Sequence, residues 1–129
     1  MNRTLLRRTA AGLGTLLAAT ALPVVLAAPA HAVENKTLVD SHGQFTFIDD
    51  GDVFKICDTR ADGHGVTGQL QLRSGVDGSI STVMTINDGG DDDCDKQGFN
   101  IGNWHDYRMV YWWNGDKGGT AQVTPWFNE

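Results

Sequence analysis

Residues Gln44 to Gly65 read Q-F-T-F-I-D-D-G-D-V-F-K-I-C-D-T-R-A-D-G-H-G, and their pattern decides the fold class. Phe45 and Phe47 flank Thr46, and after Asp50-Gly51, Phe54 and Ile56 flank Lys55; this two-residue period is that of a half-buried strand. An Asp-Gly pair between two such runs predicts a β-hairpin with a two-residue turn. That turn sets Asp49 opposite Asp52, Phe47 opposite Phe54 and Phe45 opposite Ile56. All four large apolar side chains then share one face, and a slip of one residue would split them.

The same period continues outward. Val66, Gly68, Leu70 and Leu72 alternate with polar residues, and Ile80, Thr82, Met84 and Ile86 form the inward side of a further strand. Asn87 to Gly98 is a long polar connection with Cys94 set among Asp91, Asp92, Asp93 and Asp95; loops of this length are uncommon unless anchored or functional. Tyr107, Met109, Tyr111 and Trp113 alternate with Arg108, Val110 and Trp112. Beyond a turn on Asp116-Lys117-Gly118, with Gly118 left-handed, Ala121, Val123, Pro125 and Phe127 alternate with Gln122, Thr124 and Trp126. This second hairpin pairs Trp113 with Ala121 and Tyr107 with Phe127 on an inner face. Its outer face sets Trp112 beside Gln122 and Arg108 beside Trp126. Pro125 has no N–H for a ladder, so the last strand is expected at a sheet edge.

Six such strands, with short additional pieces near Leu38 and Phe99 and no run of helical period, predict an all-β fold. The expected form is a single small antiparallel β-sandwich of Ig-like proportions, with a small β-barrel as the alternative. No tryptophan lies between Cys57 and Cys94, so the Cys-Trp-Cys arrangement of antibody domains is missing.

Residues 1–32 read as a cleaved secretory signal peptide. Arg3, Arg7 and Arg8 form a basic leader, Ala10 to Ala28 is small and apolar, and Ala30-His31-Ala32 is an A-x-A cleavage pattern. The Arg7-Arg8 pair lacks the rest of a twin-arginine signal, which favours the general secretory route and cleavage after Ala32. An arm over 33–43 and a β-domain over 44–129 follow. In an oxidising exterior Cys57 and Cys94 predict one disulfide, worth about 4 kcal/mol in the chain-entropy model.

Losing the leader's three arginines takes the formal net charge from −6 to −9. Such a chain is repelled by nucleic acid and by anionic membrane surfaces. Of its sixteen acidic residues only Glu34 and Glu129 are Glu; the others are aspartates, which suit turns rather than helices.

The sequence carries no catalytic motif. His42, His64 and His105 lack metal-ligand spacing to one another, and the serines lie in no nucleophile elbow. A secreted ribonuclease would need a core carboxylate base, usually Glu, with a His and an arginine-rich phosphate site, whereas this chain has no internal Glu in its mature part and Arg60, Arg73 and Arg108 lie on separate segments. The chain is therefore expected to be non-catalytic and to need no cofactor. Weak calcium binding at Asp91, Asp93 and Asp95 is one reading, although Lys96 stands where an EF-hand has glycine and no Glu closes the loop. The solvated-turn reading of these aspartates stands beside it.

The expected binding surface is aromatic. Trp112 and Trp126, with Arg108 and Gln122 and with Trp104 nearby, would form an amphipathic patch suited to sugar stacking or protein contact. The competing structural reading has one tryptophan cap the core and Arg108 merely stack on Trp126.

At Cys57-Asp58-Thr59-Arg60-Ala61-Asp62-Gly63 the chain resembles small exported actinobacterial proteins of unknown function that carry a Cys-Asp-Thr-x-Ala-Asp-Gly stretch. The resemblance runs loosely from Gly43 to Leu72; it implies secretion and a β domain, and it brings no catalytic residues. The motif also has a local reading as a corner, with Asp58 and Thr59 bonding nearby amides and Asp62-Gly63 closing a turn. The expected function is an exported binding module for an extracellular polysaccharide or protein. The alternative is a small inhibitor of a secreted enzyme, presenting the disulfide-stiffened loop from Asp58 to Gly65.

Overall fold

A computed structural model describes residues 34–90, 93–116 and 119–129. The predicted leader, Asp91 of the calcium trio and the Lys117-Gly118 part of the predicted turn lie outside these residues. Eight strands follow in order: β1 (Lys36–Val39), β2 (Gly43–Ile48), β3 (Val53–Asp58), β4 (Val66–Arg73), β5 (Ile80–Asp88), β6 (Asp95–Gly98), β7 (Asp106–Trp113) and β8 (Gln122–Val123). They form two four-stranded antiparallel sheets, ordered β1-β2-β3-β6 and β5-β4-β7-β8, and the sheets do not close into a barrel. The fold is the expected sandwich. No helix among the described residues is long and apolar enough to cross a membrane.

The first hairpin has the register its alternation requires, with Phe47 opposite Phe54 and Phe45 opposite Ile56. All four side chains are fully buried, each contributing roughly 1.5–3 kcal/mol by its removal from water. From the facing sheet they meet Val66, Leu70, Met84, Ile86, Met109 and Tyr111. Gly68 completes the fit: a Cβ there would stand 2.8 Å from the Phe45 ring, so only a bare backbone lets that ring lie on β4. The turn differs in one detail, because its left-handed residues are Gly51 (φ 90°) and Asp52 (φ 53°). The bend is therefore not the primed two-residue form, which needs Asp50 left-handed as well.

Three departures from simple alternation follow. In β5 the register jumps between Leu70 opposite Met84 and Gln71 opposite Thr82, leaving Val83 as an extra bulged residue. The bulge turns Ile80 and Thr82 outward, and Ile80 is 53% exposed rather than inward as its period suggests. Within the Asn87–Gly98 connection, β6 pairs with β3 as a fully exposed strand. In β8, Gln122 stands opposite Tyr111 and not Trp112.

The β8 shift has a local cause. The Met109 amide donates to the Thr124 hydroxyl while the Thr124 amide donates to the Met109 carbonyl. Tyr107 nevertheless exchanges backbone bonds with Phe127 as expected. One extra residue is accommodated across Pro125-Trp126, where the missing proline N–H leaves the ladder open. Val123 consequently faces solvent, and β8 is an edge strand.

Cys57, next to the end of β3, is bonded to Cys94, just before β6, with Cα atoms 4.4 Å apart. Close by, buried Asp88 at the end of β5 accepts the Asp58 amide at 2.7 Å and the Gly90 amide at 3.0 Å. The disulfide joins β3 to the entrance of β6 within one sheet, and the Asp88 bond to Asp58 ties the two sheets together at the same pole of the sandwich.

Candidate functional site

That pole gathers the turn after β1, the Asp58–Gly65 corner and the loop after β7. The corner has the local bonds expected of its aspartates: Asp58 accepts the Arg60 amide at 2.8 Å, Asp62 accepts the His64 amide at 3.0 Å, and Gly63 is left-handed at φ 80°, while Thr59 is held through its backbone amide. The Thr59 amide donates to the His42 carbonyl, and the Asn114 amide to the Gly65 carbonyl. Each loop is thus pinned to its neighbour through the backbone.

Asp40 organises the first turn. Its Oδ1 accepts from the amides of His42 (2.7 Å) and Gly43 (3.1 Å) and from the Tyr111 hydroxyl (2.9 Å), which rises from the core of the opposite sheet. Burial works to raise this carboxyl, but the His42 amide, the Tyr111 hydroxyl and the Gly43 amide together hold it below its ordinary value. The Tyr111 phenol is pushed well up, first by burial and then by its bond to Asp40. Gly43 is required here, since a Cβ would lie 2.3 Å from the Cys57 carbonyl oxygen and 3.1 Å from the Tyr111 hydroxyl.

His42 stacks on Trp113, with ring centroids 4.0 Å apart and planes 14° from parallel. Its Nδ1 lies 3.7 Å from Asp40 and its Nε2 lies 3.9 Å from Asp62. His64 meets the same indole edge-on at 5.4 Å. The Trp113 Nε1 is buried without a hydrogen-bond partner among the described residues. Ser41 Oγ is 3.3 Å from His42 Nδ1, but the 3.9 Å from His42 to Asp62 is too long for the base-orienting bond of a Ser-His-Asp triad.

Beside this stack is a cleft of about 130 Å³ lined by Asp40, His42, Trp112, Trp113, Asp116 and Thr120, with Gly119 at its wall. Of the residues nominated from sequence, only Trp112 belongs to it. Trp126 instead carries the guanidinium groups of Arg73 and Arg108, each 4.6 Å from its ring. Those arginines are held in turn, Arg73 by Asp106 and Arg108 by Gln71. Trp112 stands four residues along β7 from Arg108, roughly 13 Å away, so the expected aromatic face is divided in two. Gln122 reaches across the sandwich to donate to the Val39 carbonyl at 3.0 Å. Trp104 is 82% exposed before the start of β7, at the opposite end of that strand from Trp112, and makes no ring contact among the described residues.

The carboxylates Asp93 and Asp95 sit at the entrance to β6. Among the described residues, a trio of acidic groups within 4.8 Å of one another is formed by Asp49, Asp52 and Glu129, at the far pole. Asp52 Oδ2 in that group accepts the Ile101 amide at 3.1 Å.

Fold and site together define a disulfide-linked β-sandwich with a small acidic-aromatic cleft between loops. No family model, no curated protein and no solved structure matches the chain.

Proposed function

We propose that the chain is an exported binding module whose ligand seat is the cleft at the disulfide-tied pole. The observation that carries this reading is that Trp112 and the His42-stacked Trp113 line one concavity with Asp40 and Asp116. Indoles cover the apolar C–H face of a pyranose, and carboxylates with the Thr120 hydroxyl bond its hydroxyls. The pinned loops support it too, because little conformational freedom remains to be lost on binding. Retention on insoluble polysaccharide and tryptophan fluorescence with soluble oligosaccharides provide the test. Trp112→Ala is expected to abolish retention while Trp126→Ala preserves it; no retention and unchanged fluorescence across neutral, amine-bearing and acidic sugars would refute the proposal.

A second reading is favoured by the Asp58–Gly65 corner, which is exposed at Arg60, Ala61, Gly63 and His64 yet held by backbone bonds at both ends. Such a loop suits insertion into the cleft of a secreted enzyme. Micromolar protein leaving a panel of secreted hydrolases uninhibited would remove this reading.

A further inference from the structure

We infer that the sugar seated in the cleft carries a protonated amine, making the preferred ligand an amino-sugar polysaccharide rather than a neutral or acidic one. This rests on the binding reading above and concerns only which sugar is chosen.

Asp40 Oδ1 is engaged by three donors, while Oδ2 has no hydrogen bond among the described residues. The carboxylate is therefore fixed in position with one oxygen still able to accept. Its ionised form is the one these donors favour. On the other side stands the exposed carboxylate of Asp116, packed so closely against Gly119 that a Cβ there would lie 2.6 Å from Asp116 Oδ2. Among the described lining residues His42 is the one basic side chain, and its ring is already occupied by Trp113, Asp40 and Asp62. Negative charge in the cleft therefore lacks a lysine or arginine counterpart among those residues.

An ammonium placed between an indole and a carboxylate gains both a cation–π contact and a charge-assisted hydrogen bond. A neutral sugar gains only the stacking and ordinary hydroxyl bonds, and a uronate is repelled. The formal net charge of −6 acts in the same direction over longer range. A lysine side chain would satisfy one carboxylate, but it would leave Trp112 and the Thr120 hydroxyl without the ring face and hydroxyls that suit them. The cleft, at about 130 Å³, is smaller than a site for a drug-sized molecule.

The test is fluorescence titration at pH about 5.5, where such amines are protonated and an ordinary aspartate is ionised. The ligands are a glucosamine oligomer, its N-acetylated counterpart, a glucose oligomer, a galacturonate oligomer and an oligolysine peptide. We expect the glucosamine oligomer to bind about tenfold tighter than its N-acetylated counterpart, the scale of one cation–π and charged contact. Added salt should shrink that preference. Asp116→Asn, at an exposed position, should reduce it without disturbing the fold, and Asp40→Asn should reduce it further in protein that keeps its near-ultraviolet circular dichroism. Equal affinity for the amine and acetylated oligomers, both lost in Trp112→Ala, would overturn this inference while sparing the saccharide reading. Binding of oligolysine but of no sugar would overturn both in favour of a cationic peptide, and binding of no sugar at all would remove the reading beneath.

Discussion

The two aromatic hairpins of this sandwich are built on the same alternation and differ in what they do with it. In β2–β3 every inward ring is fully buried and every pair is in the register that the pattern requires. In β7–β8 the return strand is only Gln122–Val123, with Thr124 and Phe127 bonded beyond it, a one-residue shift reverses its faces, and the end of β7 places Trp112 and Trp113 on a cleft. The regular hairpin spends its side chains on the core. The second hairpin divides its indoles, with Trp113 half-buried against the core and Trp112 at the rim of the cleft.

The largest effect that could break this contrast is in the first hairpin. Phe54→Ala removes a fully buried ring stacked 4.9 Å from Phe47, and should cost about 3–5 kcal/mol in urea denaturation. A loss below about 1 kcal/mol would mean that the regular hairpin is not the mainstay of the core.

Tyr111→Phe probes the join between core and cleft and should cost about 2 kcal/mol, the scale of a hydrogen bond to a charged group. It also carries a pH signature. Asp40 has a lowered native carboxyl, so its contribution is present above about pH 4 and disappears as pH falls through that lowered value. Tyr111 has a raised phenol, so its contribution is present below about pH 10 and disappears as pH rises further. Stability curves against pH should lose the alkaline limb and part of the acid limb in Tyr111→Phe. Unchanged limbs would show that this bond does not couple the pole to the core.

The smallest effect sharpens the register. Val123→Thr on the exposed side of β8 should change stability by less than about 0.5 kcal/mol. A loss well above 1 kcal/mol would instead favour the inward Val123 that simple alternation predicts.

These contrasts also mark what was legible in the residues alone. Phe45, Phe47, Phe54 and Ile56 could be placed because an Asp-Gly turn and a period of two agree with one register. The disulfide, and the terminal strand at an edge, followed from Cys count and Pro125. Ile80 and Thr82 misled because a bulge at Val83 changes the face without changing the composition. The strand at Asp95–Gly98 was legible only as a short piece near Phe99, because all four of its residues are exposed, which removes the apolar alternation that signals a strand. The cleft was only partly visible. Trp112 was nominated, but Asp40 and His42 come from the turn after β1 while Trp113 ends β7 and Asp116 lies in the loop beyond it, and Trp113 is an inward residue packed against the core that also reaches the cleft. The available signals were Asp-Ser-His-Gly at residues 40–43, an Asx-turn sequence, and Trp-Trp followed closely by Asn-Gly-Asp.

The bond between Cys57 and Cys94 has a further consequence for the exposed flank of β3. The strand it anchors is short, polar and exposed at all four residues, and among the described residues β3 is the one strand with which it pairs. Reduced protein should therefore shed Asp95–Gly98 from the sheet and uncover a row of β3 amides and carbonyls able to template another chain. Oxidation thus acts as a selvedge, finishing a border that would otherwise invite aggregation; faster hydrogen exchange at residues 95–98 under reductant, followed by association, would reveal it.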